Sequence, residues 1–152
     1  MIKRSILRIG RREFTNLPEL DIKGIEAKID TGAYTSALHC SSIRAVKKDG
    51  VDFVDFMLLD HDHPQFTTTL HSLPIKKRKR IRSSNGTTQL RYIITTKIEI
   101  GGKIIETEFS LSNRSAMTYP LLIGRKTLKK QFIVDVDLIH TGGIPLTPNQ
   151  NA

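Results

Sequence analysis

The residues with the clearest capacity for chemistry are Asp30, Thr31 and Gly32, which follow a short alternating segment. Apolar and charged side chains alternate over residues 25–29, which predicts a half-buried strand ending at the aspartate. Two such turns would suit a hydrolase with paired carboxylates, because like charges so close cannot both ionise and must keep one proton between them. An aspartate that only caps a turn has the same local sequence, and that alternative stays open.

A second motif occurs near the other end of the chain. A short apolar strand over residues 121–123 precedes Gly124 and Arg125, and a short helix is predicted over residues 125–131. With the Asp30 turn upstream, this order of elements resembles the retropepsin family of aspartic proteases. Within that family the chain is most similar to a bacterial group labelled ATP-dependent zinc proteases, whose members often occur beside ATP-grasp ligases that add glutamate.

The resemblance implies an all-β acid-protease barrel with a flap hairpin and one short helix. It also implies aspartic endopeptidase chemistry, in which Thr31 joins two turns across a dimer axis, Gly86 lies near the flap tip and Arg125 braces the site. The implied catalytic residues are Asp30, Thr31 and Gly32; the substrate-binding residues are Ala33, Asn85 and Gly86; the structural supports are Gly124 and Arg125.

Counting the motif predicts a homodimer. Asp-Thr-Gly occurs once in the 152 residues, and Asp135-Val136-Asp137 lacks the turn glycine. Paired carboxylates then require a second chain, for which a symmetric dimer is the simplest arrangement.

Most of the chain has the pattern of strands and tight turns. Asp49-Gly50, Asn85-Gly86 and Gly101-Gly102 are turn signals between β-type segments, and residues 60–75 have the composition of a loop. The interpretation is one all-β domain over residues 1–140 with a flexible extension over residues 141–152.

The net charge of +9 is concentrated in two segments, residues 1–12 and residues 76–82. The second could contact phosphates, attract an acidic substrate such as a glutamate-rich protein tail, or merely keep a solvated strand from aggregating. The scarcity of aromatic residues around it disfavours nucleic acid. A catalytically inactive peptide-binding module and a basic nucleic-acid-binding β domain remain the alternative functions.

Other classes of site have little support. Cys40 is the single cysteine and a histidine pair, His61 and His63, lies in a polar segment without a zinc-protease motif, so no metal site and no cofactor are expected. A phosphate-binding glycine loop is absent, which leaves ATP without support. No apolar run has the length of a membrane span or a signal peptide, so a cytoplasmic protein is expected.

Overall fold

The computed structural model describes residues 5–82, 86–113 and 119–146. The described strands, in chain order, are β1 (Leu7–Ile9), β2 (Arg12–Leu17), β3 (Ile22–Ile29), β4 (Ser36–Lys48), β5 (Val51–Leu58), β6 (Leu70–Pro74), β7 (Lys77–Arg82), β8 (Thr88–Ile100), β9 (Lys103–Ser112), β10 (Leu121–Ile123), β11 (Phe132–Val134) and β12 (Ile144–Pro145). One α-helix, α1 (Arg125–Leu128), and a 3-10 turn over Pro18–Leu20 complete the described elements.

The centre of the molecule is a closed barrel. Hydrogen bonding runs in the order β10, β3, β2, β8, β9 and β4, and β4 pairs again with β10, which closes a barrel of six strands among the described residues. The predicted all-β fold with a short helix is thereby confirmed.

The barrel forms because buried and exposed side chains alternate along its strands, as the sequence predicts. In β3, Ile25, Ala27 and Ile29 point into the core, whereas Lys28 is exposed. Phe109 and other apolar residues of β9 meet them from the opposite wall, so the two-residue period of the sequence becomes an inside and an outside.

Two additions extend the barrel. β5 and β6 continue the sheet beyond β4, and β7 pairs with residues 88–93 of β8. Since β9 pairs with β8 only from Tyr92 onward, the β7–β8 hairpin continues past the barrel wall as a two-stranded ribbon, here called the basic ribbon. Its connection includes Asn85, which lies outside the described residues, and Gly86, which has a φ of 88°.

A small second sheet lies at the base. β1 pairs in parallel with β11 and antiparallel with β12. Residues 141–146 belong to the predicted flexible extension, yet they are bonded to the body through β12 and through hydrogen bonds from Thr141 and Gly142 to Glu13. Residues 147–152 lie outside the described residues.

Three local boundaries also differ from the sequence predictions. The expected loop over residues 60–75 contains β6, which has no alternating pattern and forms through its pairing with β5. The helix ends at Leu128, three residues before its predicted end. The alternation of Phe132, Val134 and Val136 predicts a last strand through residue 136, but β11 stops at Val134. Within the described part of the chain, no helix has the length and apolar character needed to cross a membrane.

Candidate active site

Asp30 lies directly after β3, half-buried, at one end of the barrel. Its backbone N–H donates to the carbonyl of Ile123 at 2.8 Å, so β10 fixes the aspartate in line with the strand. Its Oδ1 accepts a hydrogen bond of 3.0 Å from the N–H of Gly32, and the N–H of Ala33 donates to the Asp30 carbonyl at 3.2 Å. These bonds fold residues 30–33 into a tight turn that begins at Asp30.

Arg125 of the Gly124-Arg125 motif fixes that turn through hydrogen bonds. The backbone N–H of Arg125 donates to the carbonyl of Ala33 at 2.8 Å, and the guanidinium Nη1 donates to the carbonyl of Thr31 at 2.9 Å. The guanidinium also lies 5.8 Å from the ring centroid of Tyr34. One arginine therefore contacts the turn through both its backbone and its side chain, as a rigid multiple donor can.

Gly124 is required by space at this position. A Cβ placed on it would lie 2.7 Å from the Tyr34 carbonyl oxygen and 2.9 Å from that of Ala33. Both are backbone atoms of the aspartate turn, so any side chain at Gly124 would push the turn away from β10.

A buried hydroxyl chain, missed in the sequence analysis, completes the support. Ser36 Oγ accepts from the N–H of Gly124 at 3.0 Å and lies 2.7 Å from Thr127 Oγ1, which lies 2.8 Å from Thr107 Oγ1. All three hydroxyl residues are buried. The polar residues six positions after Asp30 and three after Gly124 were the available signal, but nothing in their types shows that they meet.

Thr31 and Gly32 are exposed in the single chain, although the backbone of their turn is hydrogen-bonded to β10 and to Arg125. An open groove of about 670 Å³ adjoins Thr31 and Tyr34, with Phe132 and Val134 on its apolar floor. Gly86, in contrast, lies at the far end of the basic ribbon, and no hydrogen bond joins it to residues 30–33. The structure thus brings together six of the predicted site residues: Asp30, Thr31, Gly32, Ala33, Gly124 and Arg125.

The basic ribbon is partly neutralised where it joins the barrel. Lys77 lies 3.4 Å from Glu108, which also pairs with Lys126 of α1 at 2.9 Å, and Arg78 lies 3.4 Å from Asp52. The hydrogen bond from Lys126 is the largest influence on Glu108 and lowers the pKa of its carboxyl group. Lys79 and Arg80 are exposed, and neither forms an ion pair with a described carboxylate.

The described residues offer no suitable group of side chains for a metal site or for a cysteine nucleophile. His39 Nε2 lies 2.7 Å from Asp60 Oδ2, His61 is solvent-exposed, and no group of three or more His, Cys, Asp or Glu side chains among the described residues could hold a metal ion. Burial raises the pKa of the Cys40 thiol well above its usual value, which disfavours the thiolate that a nucleophile requires.

A closed six-stranded barrel with an aspartate turn braced by a Gly-Arg strand defines the retropepsin-like class. The chain belongs to the RimB-like family of that class: the family model described as "Retropepsin-like aspartic endopeptidase RimB" matches residues 8–141.

Curated relatives carry a different name. A protein of Shewanella pealeana named "Probable alpha-L-glutamate ligase" is 35% identical over 127 residues, which are 84% of this chain but 28% of that protein. A protein of the same name from Parasynechococcus marenigrum is 29% identical over 135 residues, 89% of this chain and 29% of its own length. The chain thus spans less than a third of the curated relatives it matches.

A solved structure shares the fold. Protein Lpg0085 of Legionella pneumophila, whose function is unknown, superposes with a TM-score of 0.73 at 23% sequence identity, covering 92% of this chain and 99% of that one. At this identity the likeness concerns the fold alone.

Proposed function

We propose that this chain is an aspartic endopeptidase whose active site forms when the Asp30 turns of two copies meet. The observation that carries the proposal is the contrast within the turn: its backbone is fixed by β10 and Arg125, yet Thr31 and Gly32 are exposed. A turn with a fixed backbone and with Thr31 and Gly32 exposed can supply one half of a paired-carboxylate site.

The chemistry follows from bringing the two carboxylates together. Two Asp30 side chains within hydrogen-bond distance share one proton, because both cannot be ionised at such a separation. The ionised carboxylate accepts a proton from a water molecule as that water attacks the peptide carbonyl, and the protonated one donates to the carbonyl oxygen. Among the described residues only the N–H of Gly32 donates to the Asp30 carboxylate, at Oδ1, and this leaves Oδ2 available for this work.

An acidic, glutamate-rich peptide is the substrate class we propose. Lys79 and Arg80 of the basic ribbon have no described carboxylate partner, so their charge is available to attract an anionic chain. The relatives named as alpha-L-glutamate ligases support a functional link between this chain and a ligase of the ATP-grasp type that supplies such a chain.

The test compares Asp30→Asn with Asp137→Asn on a glutamate-rich peptide. Asp137 is an exposed aspartate outside the turn, so the control makes the same chemical change on a solvated side chain. We expect Asp30→Asn to lower kcat/KM about a thousandfold or more while the dimer mass and melting temperature stay unchanged, and Asp137→Asn to match the unaltered protein. Equal cleavage by Asp30→Asn and the unaltered protein would refute the mechanism. Peptide binding without cleavage by any of them would indicate a binding module instead.

A further inference from the structure

A cationic pocket lies on the outer wall of the barrel, immediately before the aspartate turn. It is an open pocket of about 310 Å³, lined by Arg11, Arg12, Lys28, Ile29 and Tyr119. Ile29 is the residue before Asp30, and Lys28 precedes it on the outward face of β3. Two residues of extended strand span about 7 Å, so the pocket lies within one or two peptide residues of the candidate carboxylate.

The two cations at the centre of this pocket, Arg12 and Lys28, repel each other. Arg12 and Lys28 are direct partners in the antiparallel β2–β3 register, so both side chains leave the same face next to each other. Like charges directly opposite on neighbouring strands are destabilising. A bound anion would turn this repulsion into a shared attraction, because both side chains would donate charge-assisted hydrogen bonds to it.

The described carboxylates neutralise only part of the positive charge of the pocket. Glu26 lies 3.8 Å from Arg12, but the same carboxylate oxygen also bonds to His140 at 2.5 Å. Arg11 uses Nη1 to bond the carbonyl of Val136 at 2.9 Å. The Lys28 side chain forms no hydrogen bond or ion pair with any part of the chain that the structure describes.

Tyr119 adds a neutral hydrogen-bonding group at the rim. Its hydroxyl accepts a hydrogen bond of 3.2 Å from Arg12 Nη1, which leaves the phenolic O–H able to donate into the pocket. A carboxylate placed here would meet an ammonium, a guanidinium and a hydroxyl, all as donors. Charge-assisted bonds of this kind discriminate a carboxylate from its neutral amide.

We infer that this pocket receives the side-chain carboxylate of a substrate residue beside the bond to be cleaved, with Lys28 as its principal charge. This assignment rests on the proposed function and deepens it by naming the residues that read the substrate. The basic ribbon attracts an anionic chain from a distance, whereas the confined pocket selects a glutamate or aspartate over a neutral residue of the same shape.

The test pairs Lys28→Gln with Lys23→Gln. Both lysines are exposed residues of β3, and Lys23 lies at the opposite end of the strand, so the two variants make the same change in net charge. The substrates are two acetylated and amidated hexapeptides, (Glu-Ala)3 and (Gln-Ala)3, which remove any contribution from a terminal carboxylate.

For the unaltered protein we expect (Glu-Ala)3 to be cleaved with kcat/KM about tenfold above (Gln-Ala)3. Lys28→Gln should raise KM for (Glu-Ala)3 about tenfold with kcat within about twofold, and Lys28→Arg should recover most of that loss. Lys23→Gln should behave as the unaltered protein. Equal kcat/KM for the two peptides, or equal effects of Lys28→Gln and Lys23→Gln, would overturn the assignment even if one variant folds poorly.

A binding measurement separates this pocket from the catalytic proposal. In Asp30→Asn protein, which keeps the pocket, fluorescently labelled (Glu-Ala)3 should bind about tenfold more tightly than labelled (Gln-Ala)3, and Lys28→Gln should abolish the difference. That preference without cleavage by the unaltered protein would leave the pocket standing and remove the peptidase. Cleavage by the unaltered protein without any preference in binding would leave the peptidase standing and remove the pocket.

Discussion

Glu13 and Asp30 are two carboxylates of adjoining strands, and their surroundings are opposites. Glu13, 2% exposed, accepts four hydrogen bonds: from the N–H of Gly10 at 2.7 Å, from the N–H and hydroxyl of Thr141 at 3.1 and 2.6 Å, and from the N–H of Gly142 at 3.0 Å. The Asp30 carboxylate is half-buried and accepts one hydrogen bond from the described part of the chain, from the N–H of Gly32. The first carboxylate joins distant parts of the chain, and the second has acceptor capacity left over.

The difference distinguishes a structural acid from a reactive one. A buried carboxylate that accepts four hydrogen bonds from its own chain stabilises the fold and has little acceptor capacity left for a substrate. A carboxylate whose backbone is fixed while one oxygen remains available is prepared to take part in proton transfer. We therefore expect a change of Glu13 to lower the stability of the fold and a change of Asp30 to lower the activity.

The largest stability effect is expected for Glu13→Gln. An amide that keeps its oxygen at the Oε2 position still accepts three of the four bonds, but its NH2 group then faces the N–H of Gly142, and the negative charge that strengthens all four bonds is lost. We expect the free energy of unfolding to fall by about 3 kcal/mol, measured by urea denaturation, with kcat per folded molecule unchanged. Glu106→Gln, a change at an exposed acid of β9, is the control. Stability equal to that of the control would show that the Glu13 bonds contribute nothing net.

The same residue should make stability fall in acid. Burial raises the pKa of the Glu13 carboxyl group, but the hydrogen bonds from Thr141, Gly10 and Gly142 outweigh it, so its pKa in the folded chain is lowered. A lowered folded pKa gives stability that is complete above the unfolded value of about 4.3 and is lost as pH falls through the folded value. The gap in unfolding free energy between the unaltered protein and Glu13→Gln should therefore be constant near neutral pH and shrink below about pH 4. A gap that widens in acid would contradict this sign.

A smaller stability effect with a large activity effect is expected for Gly124→Ala. The new Cβ would meet the carbonyls of Tyr34 and Ala33 closer than 3 Å, so the aspartate turn must shift. We expect a loss of about 2 kcal/mol in unfolding free energy and a fall in kcat/KM larger than that loss of folded protein explains. Gly102→Ala is the comparison: its Cβ meets nothing within 4 Å, although its positive φ adds a strain of its own. Full activity in Gly124→Ala would mean that the exact position of the turn does not matter.

Much of the candidate site could be predicted from two short motifs and from the family that they resemble. Asp30 and the Gly124-Arg125 motif carry recognisable turn and strand signals, and the structure joins them through bonds from Arg125 to Thr31 and Ala33. The alternation in β3 likewise fixed which side chains face the core. These features depend on residues near one another in sequence or on a two-residue period.

The remaining features depend on contacts between distant residues. Glu13 finds two of its partners 128 and 129 residues away, and Thr107 and Thr127 meet only after β9 and α1 have packed. β6 forms because β5 supplies its hydrogen bonds, and its own pattern does not reveal it. The cationic pocket, in the same way, exists because the register of β2 and β3 sets Arg12 opposite Lys28.

The most direct test of the paired Asp30 site mixes two proteins. Unaltered chain and Asp30→Asn chain, carrying different affinity tags, are co-refolded in equal amounts so that the subunits of any dimer exchange. If both copies must supply Asp30, only dimers of two unaltered chains are fully active, and the activity should fall to about a quarter of that of unaltered chain at the same total concentration. A fall to about half, in simple proportion to the unaltered chain present, would show that each copy works with its own Asp30 and would contradict the shared site.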